Sequence, residues 1–164
     1  MVAEGEIEEL KTLQNIVDEI LAEIHSMRVK TDTSTIKQYC ETVGESNPAY
    51  FDDESARRAG YPGAIVPQSY LMTLFVPIVN EVFMKGAEKL FTGLIKGVIH
   101  SGSEVTYNKL LLVGETYVMH LESLSLDKKS GSTGDHYVWT FRAVVSGEDG
   151  EELACDKHTF FLRI

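Results

Sequence analysis

Apolar residues first recur at helical spacing between Glu6 and Ser26, where Ile7, Leu10, Leu13, Val17, Ile20, Leu21 and Ile24 alternate with Glu and Lys. This stripe predicts an amphipathic helix. Glu6, Glu8 and Glu9 in its first turn suit the positive end of the helix dipole. One apolar face implies packing on the chain's own core or on a partner subunit. Met27 to Lys30 reads as a short strand or a linker. Thr31-Asp32-Thr33-Ser34 is rich in N-cap residue types, and Ile36, Tyr39, Cys40 and Val43 then mark a second helix over 35–43. Gly44 is a natural residue to end it.

A punctuated stretch follows. Asn47-Pro48 signals a turn, because the proline biases the residue before it toward an extended conformation. Asp52 or Asp53 can cap a short helix that runs through Ala59 and stops at Gly60. Tyr61-Pro62-Gly63 is a further turn, and Ala64-Ile65-Val66 leads to Pro67, a residue suited to the first turn of a helix. From Gln68 to about Lys89, Leu71, Leu74, Phe75, Ile78, Val79, Val82 and Phe83 form a broad apolar face with little polar surface opposite. That pattern predicts a central, largely enclosed helix. Pro77 removes a backbone donor, so a kink or break is expected around Thr73 to Val76.

The second half changes period. Segments 93–107, 115–127, 134–146 and 153–162 are β-rich and partly alternating. The clusters Lys128-Lys129-Ser130-Gly131-Ser132-Thr133 and Gly147-Glu148-Asp149-Gly150 read as turns between the last three. Short loops between successive strands predict antiparallel meander pairing. Tyr137, Trp139 and Phe141 share one strand face and are assigned to the core. Helices followed by strands make this an α+β chain. Its economical form is an antiparallel sheet curled around the helix that starts at Pro67, which would bury the helix on all sides.

Charge and composition narrow the function. At 164 residues the chain can bury a sizeable core as one domain. A net charge of -10, with 15 Lys and Arg scattered along the sequence, argues against nucleic acid as a partner. No apolar run is long enough to span a bilayer, and the acidic N-terminus is unlike a signal peptide. The expectation is a cytoplasmic protein without a membrane partner. Cys40 and Cys155 read as reduced thiols. His25, His100, His120, His136 and His158 show no metal-ligand spacing, and no cofactor is expected.

Four motif groups in the first half carry a resemblance. The chain holds Gly44-Glu45-Ser46-Asn47-Pro48-Ala49-Tyr50, Asp53-Glu54-Ser55-Ala56, Gly60-Tyr61-Pro62-Gly63 and Ile65-Val66-Pro67. In this order they resemble the Gly-Asp-x-Asn-Pro-x-His loop, short helix, Gly-Tyr-x-Gly turn and apolar-Pro helix start of MaoC-like dehydratase domains. Later, His100-Ser101-Gly102 before a strand and Val113-Gly114-Glu115-Thr116 at a turn also match that family. The resemblance runs from about Val29 to the end. It implies a hotdog fold over 27–164, preceded by an N-terminal amphipathic helix over 1–26. Members with the full motif are (R)-specific enoyl-CoA hydratases or (3R)-hydroxyacyl dehydratases. Their Asp and His act on a water that is added to, or removed from, an acyl thioester.

This chain departs from the motif at both reactive positions. Glu45 stands where the family has Asp, and Tyr50 where it has His. An unperturbed phenol titrates near ~10 and is a poor base at neutral pH. The candidate catalytic residues are Glu45, Tyr50 and His100. Ser101-Gly102 also suggests a bulge in the strand of His100, whereas His120, His136 and His158 receive no role. Asn47, Pro67, Gln68 and Ser69 are the candidate substrate-binding residues. By the resemblance, the amides of Gln68 and Ser69 at the helix start would stabilise the thioester oxygen. Three readings remain open. One is a hydro-lyase acting on enoyl or 3-hydroxyacyl thioesters of CoA or acyl-carrier protein. Another is a non-catalytic acyl-binding subunit paired with a dyad-bearing hotdog chain, and the third is a hotdog thioesterase. A homodimer or heterodimer is expected, because hotdog domains form pockets between protomers.

Overall fold

A computed structural model describes residues 4–90, 95–131 and 134–164 of the chain. Helix α1 (Glu4–Ala22) leads into strand β1 (Met27–Lys30), helix α2 (Thr33–Val43), a 3-10 turn (Pro48–Tyr50), helix α3 (Asp53–Arg58) and helix α4 (Tyr70–Leu90). Strands β2 (Gly97–Tyr107), β3 (Thr116–Gly131), β4 (Gly134–Ser146) and β5 (Glu152–Arg163) complete the chain. The Ile7 side chain, the expected strand start at Gly93 and the turn residues Ser132 and Thr133 lie outside the described residues.

The five strands form one antiparallel sheet in the order β1-β3-β4-β5-β2. The meander expected from the short loops holds for β3, β4 and β5. It fails for β2, which lies at the far edge beside β5. The physical reason is that β1 already occupies the free edge of β3. The hairpin between β3 and β4 is also longer than expected. Lys128 pairs with Tyr137, and the ladder continues to Gly131 opposite Gly134. Ladder hydrogen bonds are made by the backbone, so polar side chains on an exposed extension do not end a strand. The bulge expected after His100 is present as a register shift between His100 and Gly102.

The sheet curls over α4. Leu71, Leu74, Phe75 and Ile78 pack with Ile36 of α2 and with Met119, Ala143 and Val145 of the sheet. Farther along the helix, Val82 and Leu90 meet Leu13, Val17 and Ile20 of α1 together with Tyr137, Trp139, Phe141 and Phe160. The aromatic face of β4 is therefore core. Lys89 joins α4 to α1 through Glu19 at 3.0 Å and Glu23 at 2.7 Å.

Two expectations for α4 need correction. The helix is not enclosed on all sides: Met72, Val76 and Phe83 are 43%, 60% and 44% exposed. The sheet covers the helix only from its concave side, and α1 covers one end, so a stripe stays open. Of the kink or break expected at Pro77, the break is absent, since the helix is continuous from Tyr70 to Leu90. Proline leaves the Thr73 carbonyl without its helical donor. Thr73 and Pro77 are both exposed, so water can reach that side.

Candidate functional site

The loop after α2 is built from its own polar groups. Gly44 ends α2 in the left-handed conformation, at φ 76°. Glu45 then turns back, and its Oε1 accepts hydrogen bonds from the amides of Ser46 at 2.9 Å and Asn47 at 3.1 Å. Asn47 Oδ1 accepts from the Ala49 amide at 3.1 Å and caps the 3-10 turn. Of the two candidate caps for α3, Asp52 holds the Ser55 amide at 2.7 Å. Asp53 reaches across instead and accepts from the Ala64 amide at 2.8 Å. With the bond from the Ile65 amide to the Ala49 carbonyl at 3.0 Å, this clamps the loop to the run that leads into α4.

Glu45, Asn47 and Tyr50 are thereby brought together. Tyr50 is half-buried. Burial pushes its phenol above the ordinary value, the Glu45 carboxylate adds to that shift, and a hydrogen bond with the Asn47 side chain opposes it. The loop holds a carboxylate already occupied by two amides and a phenol that stays protonated at neutral pH.

At the start of α4 the first helical residue is Tyr70, three residues later than Pro67. A tight turn precedes it, with the Tyr70 amide bonded to the Pro67 carbonyl at 2.9 Å and the Leu71 amide to the Gln68 carbonyl at 3.1 Å. Pro67 is buried, whereas Gln68 and Ser69 are exposed at the helix N-terminus, where amides lack intrahelical acceptors. The Tyr107 hydroxyl donates to the Gln68 carbonyl at 2.6 Å and ties edge strand β2 to this turn. Pro67, Gln68, Leu71, Tyr107 and Leu110 line a shallow crevice.

His100 belongs to a different neighbourhood. It stacks on Phe160 at a centroid distance of 4.7 Å, and its Nε2 lies 3.3 Å from His158 Nδ1 and 3.4 Å from Ser103 Oγ. His158, which the sequence left without a role, is 4% exposed and has Asp156 Oδ2 3.4 Å from its Nε2. Burial pulls the His158 imidazole below its usual pKa; Asp156 opposes that shift and His100 adds to it. Asp156 and His158 line a cavity of about 210 Å³ along the open stripe of α4, together with Met72, Phe75, Val76, Val79, Asn80 and Phe83. The signal for this pair was present in β5. Ala154, Asp156, His158, Phe160 and Leu162 share one strand face, so two ionisable residues interrupt an otherwise apolar inward row.

A long helix capped by a curled antiparallel sheet, with the Asn-Pro loop clamped beside the helix start, defines a MaoC-like hotdog dehydratase domain. The family model described as FAS1-like, dehydratase domain region matches residues 20–155, and the chain belongs to that family. Among curated proteins it is 28% identical over 158 residues to a probable enoyl-CoA hydratase alpha subunit of Thermomonospora curvata, covering 90% of this chain and 49% of the relative. The chain thus spans about half the length of that relative. Among solved structures it resembles the ChsH1-ChsH2 complex of Mycobacterium tuberculosis, with a TM-score of 0.71, 22% identity, and 94% and 92% of the two chains covered. It also resembles a MaoC-like dehydratase of Rhodospirillum rubrum, with a TM-score of 0.61, 16% identity, and 85% and 89% covered. Among the described residues no helix is long and apolar enough to cross a membrane.

Proposed function

We propose that this chain is the acyl-thioester-binding subunit of a two-component hydratase or dehydratase, and that a partner hotdog chain supplies the acid–base dyad. The observation that carries this reading is the state of the loop at 44–50. Hydration of an enoyl thioester needs a side chain that exchanges a proton near neutral pH. Tyr50 stands where the family has its histidine, and its phenol is pushed further from neutrality. Glu45 stands at the carboxylate position, and its Oε1 is occupied by the loop's own amides.

The substrate class is an enoyl or 3-hydroxyacyl thioester of CoA or an acyl-carrier protein. Gln68 and Ser69 would offer their amides to the thioester oxygen. The similarity to an alpha subunit and to a two-protein complex supports a heteromer. So does the surface. Among the described residues β2 is hydrogen-bonded on one side only, to β5, and its other edge has no partner strand. Beside it runs the exposed apolar stripe of Met72, Val76 and Phe83. A second hotdog chain adding its own edge strand would cover both.

Co-expression with a hotdog chain that carries an intact Gly-Asp-x-Asn-Pro-x-His motif tests this reading. An equimolar heteromer that hydrates crotonyl-CoA and loses turnover when the partner's histidine is replaced is the expected result. A homodimer that ignores the partner chain would overturn it.

A further inference from the structure

His100 and His158 lie 58 residues apart in the sequence and meet only because β2 pairs with β5. Spacing along the chain therefore gives no sign of them as a pair. His100 Nε2 is 3.3 Å from His158 Nδ1, and Ser103 Oγ is 3.2 Å from that Nδ1 and 3.4 Å from His100 Nε2. The three atoms form a nearly equilateral triangle. Its edges are at or beyond the long end of ordinary hydrogen bonds, about 2.7–3.2 Å. They match a different object, since a tetrahedral ion with bonds of about 2.0–2.1 Å holds its ligands about 3.3–3.4 Å apart. Both rings are held by aromatic neighbours, His100 against Phe160 at 4.7 Å and His158 against Phe141 at 5.2 Å between centroids. His100 and Ser103 are exposed, so an ion reaches the triangle from that side.

The far side of the His158 ring supplies a second observation. Its Nε2 faces Asp156 Oδ2 at 3.4 Å, within ion-pair reach. Asp156 is fully buried, and neither carboxylate oxygen has a hydrogen-bond partner among the described residues. A buried carboxylate without a compensating cation is costly. Histidines that ligate a metal turn their other ring nitrogen to a carboxylate, carbonyl or water, which fixes the tautomer and the ring. An ion on Nδ1 would leave the proton on Nε2, toward Asp156, and would put positive charge behind the ring.

We propose that His100 Nε2, His158 Nδ1 and Ser103 Oγ form a site for a divalent transition-metal ion of the zinc class, with Asp156 as the positioning residue behind His158 and the fourth position open to water. Imidazole donors suit zinc, copper and nickel, whereas magnesium and calcium take oxygen ligands. No group of three or more His, Cys, Asp and Glu side chains suited to a metal occurs among the described residues. The third donor is therefore the serine oxygen, and the affinity expected is below that of a three-histidine site. The bound ion staples edge strand β2 to β5. The proposal does not depend on the acyl-thioester reading.

The test is calorimetric titration of the metal-stripped full chain with Zn²⁺ and, separately, with Mg²⁺, while NMR follows the imidazole signals. One equivalent of Zn²⁺ is expected to bind and to raise the melting temperature. It should shift the His100 and His158 resonances ahead of those of His25, His120 and His136, and Mg²⁺ should do none of this. His100→Ala truncates an exposed ligand and is expected to abolish both the stoichiometric binding and the rise in melting temperature. Asp156→Asn keeps the shape of the buried side chain without its charge, and is expected to weaken Zn²⁺ binding by about 10–100-fold. Ser103→Ala gives a further reading at an exposed position if the buried variant does not fold, and should also weaken binding. No Zn²⁺ binding by the wild type, shifts confined to the other histidines, or an affinity unchanged in His100→Ala or Ser103→Ala would overturn the proposal. The probe carries no thioester and needs no partner chain, so failure here is separate from failure of the acyl-thioester reading.

Discussion

Tyr117 is buried on β3, and its hydroxyl accepts from the Leu112 amide at 2.6 Å and donates to the Leu112 carbonyl at 3.1 Å. Tyr117→Phe strips both partners from a segment that also anchors Ile65 through an isolated bridge. The expected cost is about 1–3 kcal/mol in urea unfolding, and a loss below about 0.5 kcal/mol would contradict the assignment. His158 makes a prediction in pH. Its native pKa lies below the unfolded value near ~6.5. Between the two values the unfolded chain binds more protons, so stability is full above the unfolded pKa and falls as pH drops through it. Between pH ~7.5 and pH ~5.5 the melting temperature of the wild type should therefore fall more than that of His158→Gln; equal falls would remove His158 as the cause. At this scale the sequence was readable where a residue acts on its own loop. Asn47 as a turn former follows from residue type, whereas residue type leaves Asp52 and Asp53 equal as caps and the structure chooses Asp52. The back-turned carboxylate of Glu45 does not, because charge is visible in a sequence and hydrogen-bond occupancy is not. The Asp156–His158 pair was legible as an interruption of an apolar row, but its meeting with His100 and Ser103 depends on β2 pairing with β5.

Helix α1 lies outside the motif-bearing region, yet it is packed as core. Leu13, Val17 and Ile20 are fully buried against α4 and the aromatic face of β4. Tyr137 reaches Glu9 at 3.0 Å from below. Leu13→Ala should cost about 2–5 kcal/mol by the usual sum of lost transfer and a residual cavity. A change near zero in chemical denaturation would mean that α1 rests loosely on the domain. The apolar stripe of α1 was readable from its period. The environment of α4 was not: the same period describes a helix enclosed on every side and one with an open stripe, and only the sheet's reach separates them. The β3–β4 hairpin shows a similar limit. Lys128 to Ser130 have turn-like composition, but the backbone ladder carries on through them. Helix starts are also set by tertiary ties, since Pro67 to Ser69 form a turn held by Tyr107 before α4 begins.

The described residues form a hotdog fold and, among themselves, leave two surfaces uncovered, the outer edge of β2 and the open stripe of α4. The order of motifs along the chain was enough to reach this fold, because loop, short helix, turn and central helix follow one another at family spacing. Strand order was harder to read, since which edge β2 joins depends on the place of β1, a strand of four residues. Function divides along the same line. The position of the 44–50 loop beside the helix start follows the family pattern, while its residues depart from that pattern at Glu45 and Tyr50. The central claim is that this chain binds an acyl thioester without turning it over. Incubating the purified chain alone with crotonyl-CoA, and following loss of the enoyl absorbance beside calorimetric binding, tests it most directly. The account predicts binding with no hydration above background, equally in wild type and Glu45→Gln. Hydration by the chain alone that disappears in Glu45→Gln would contradict it.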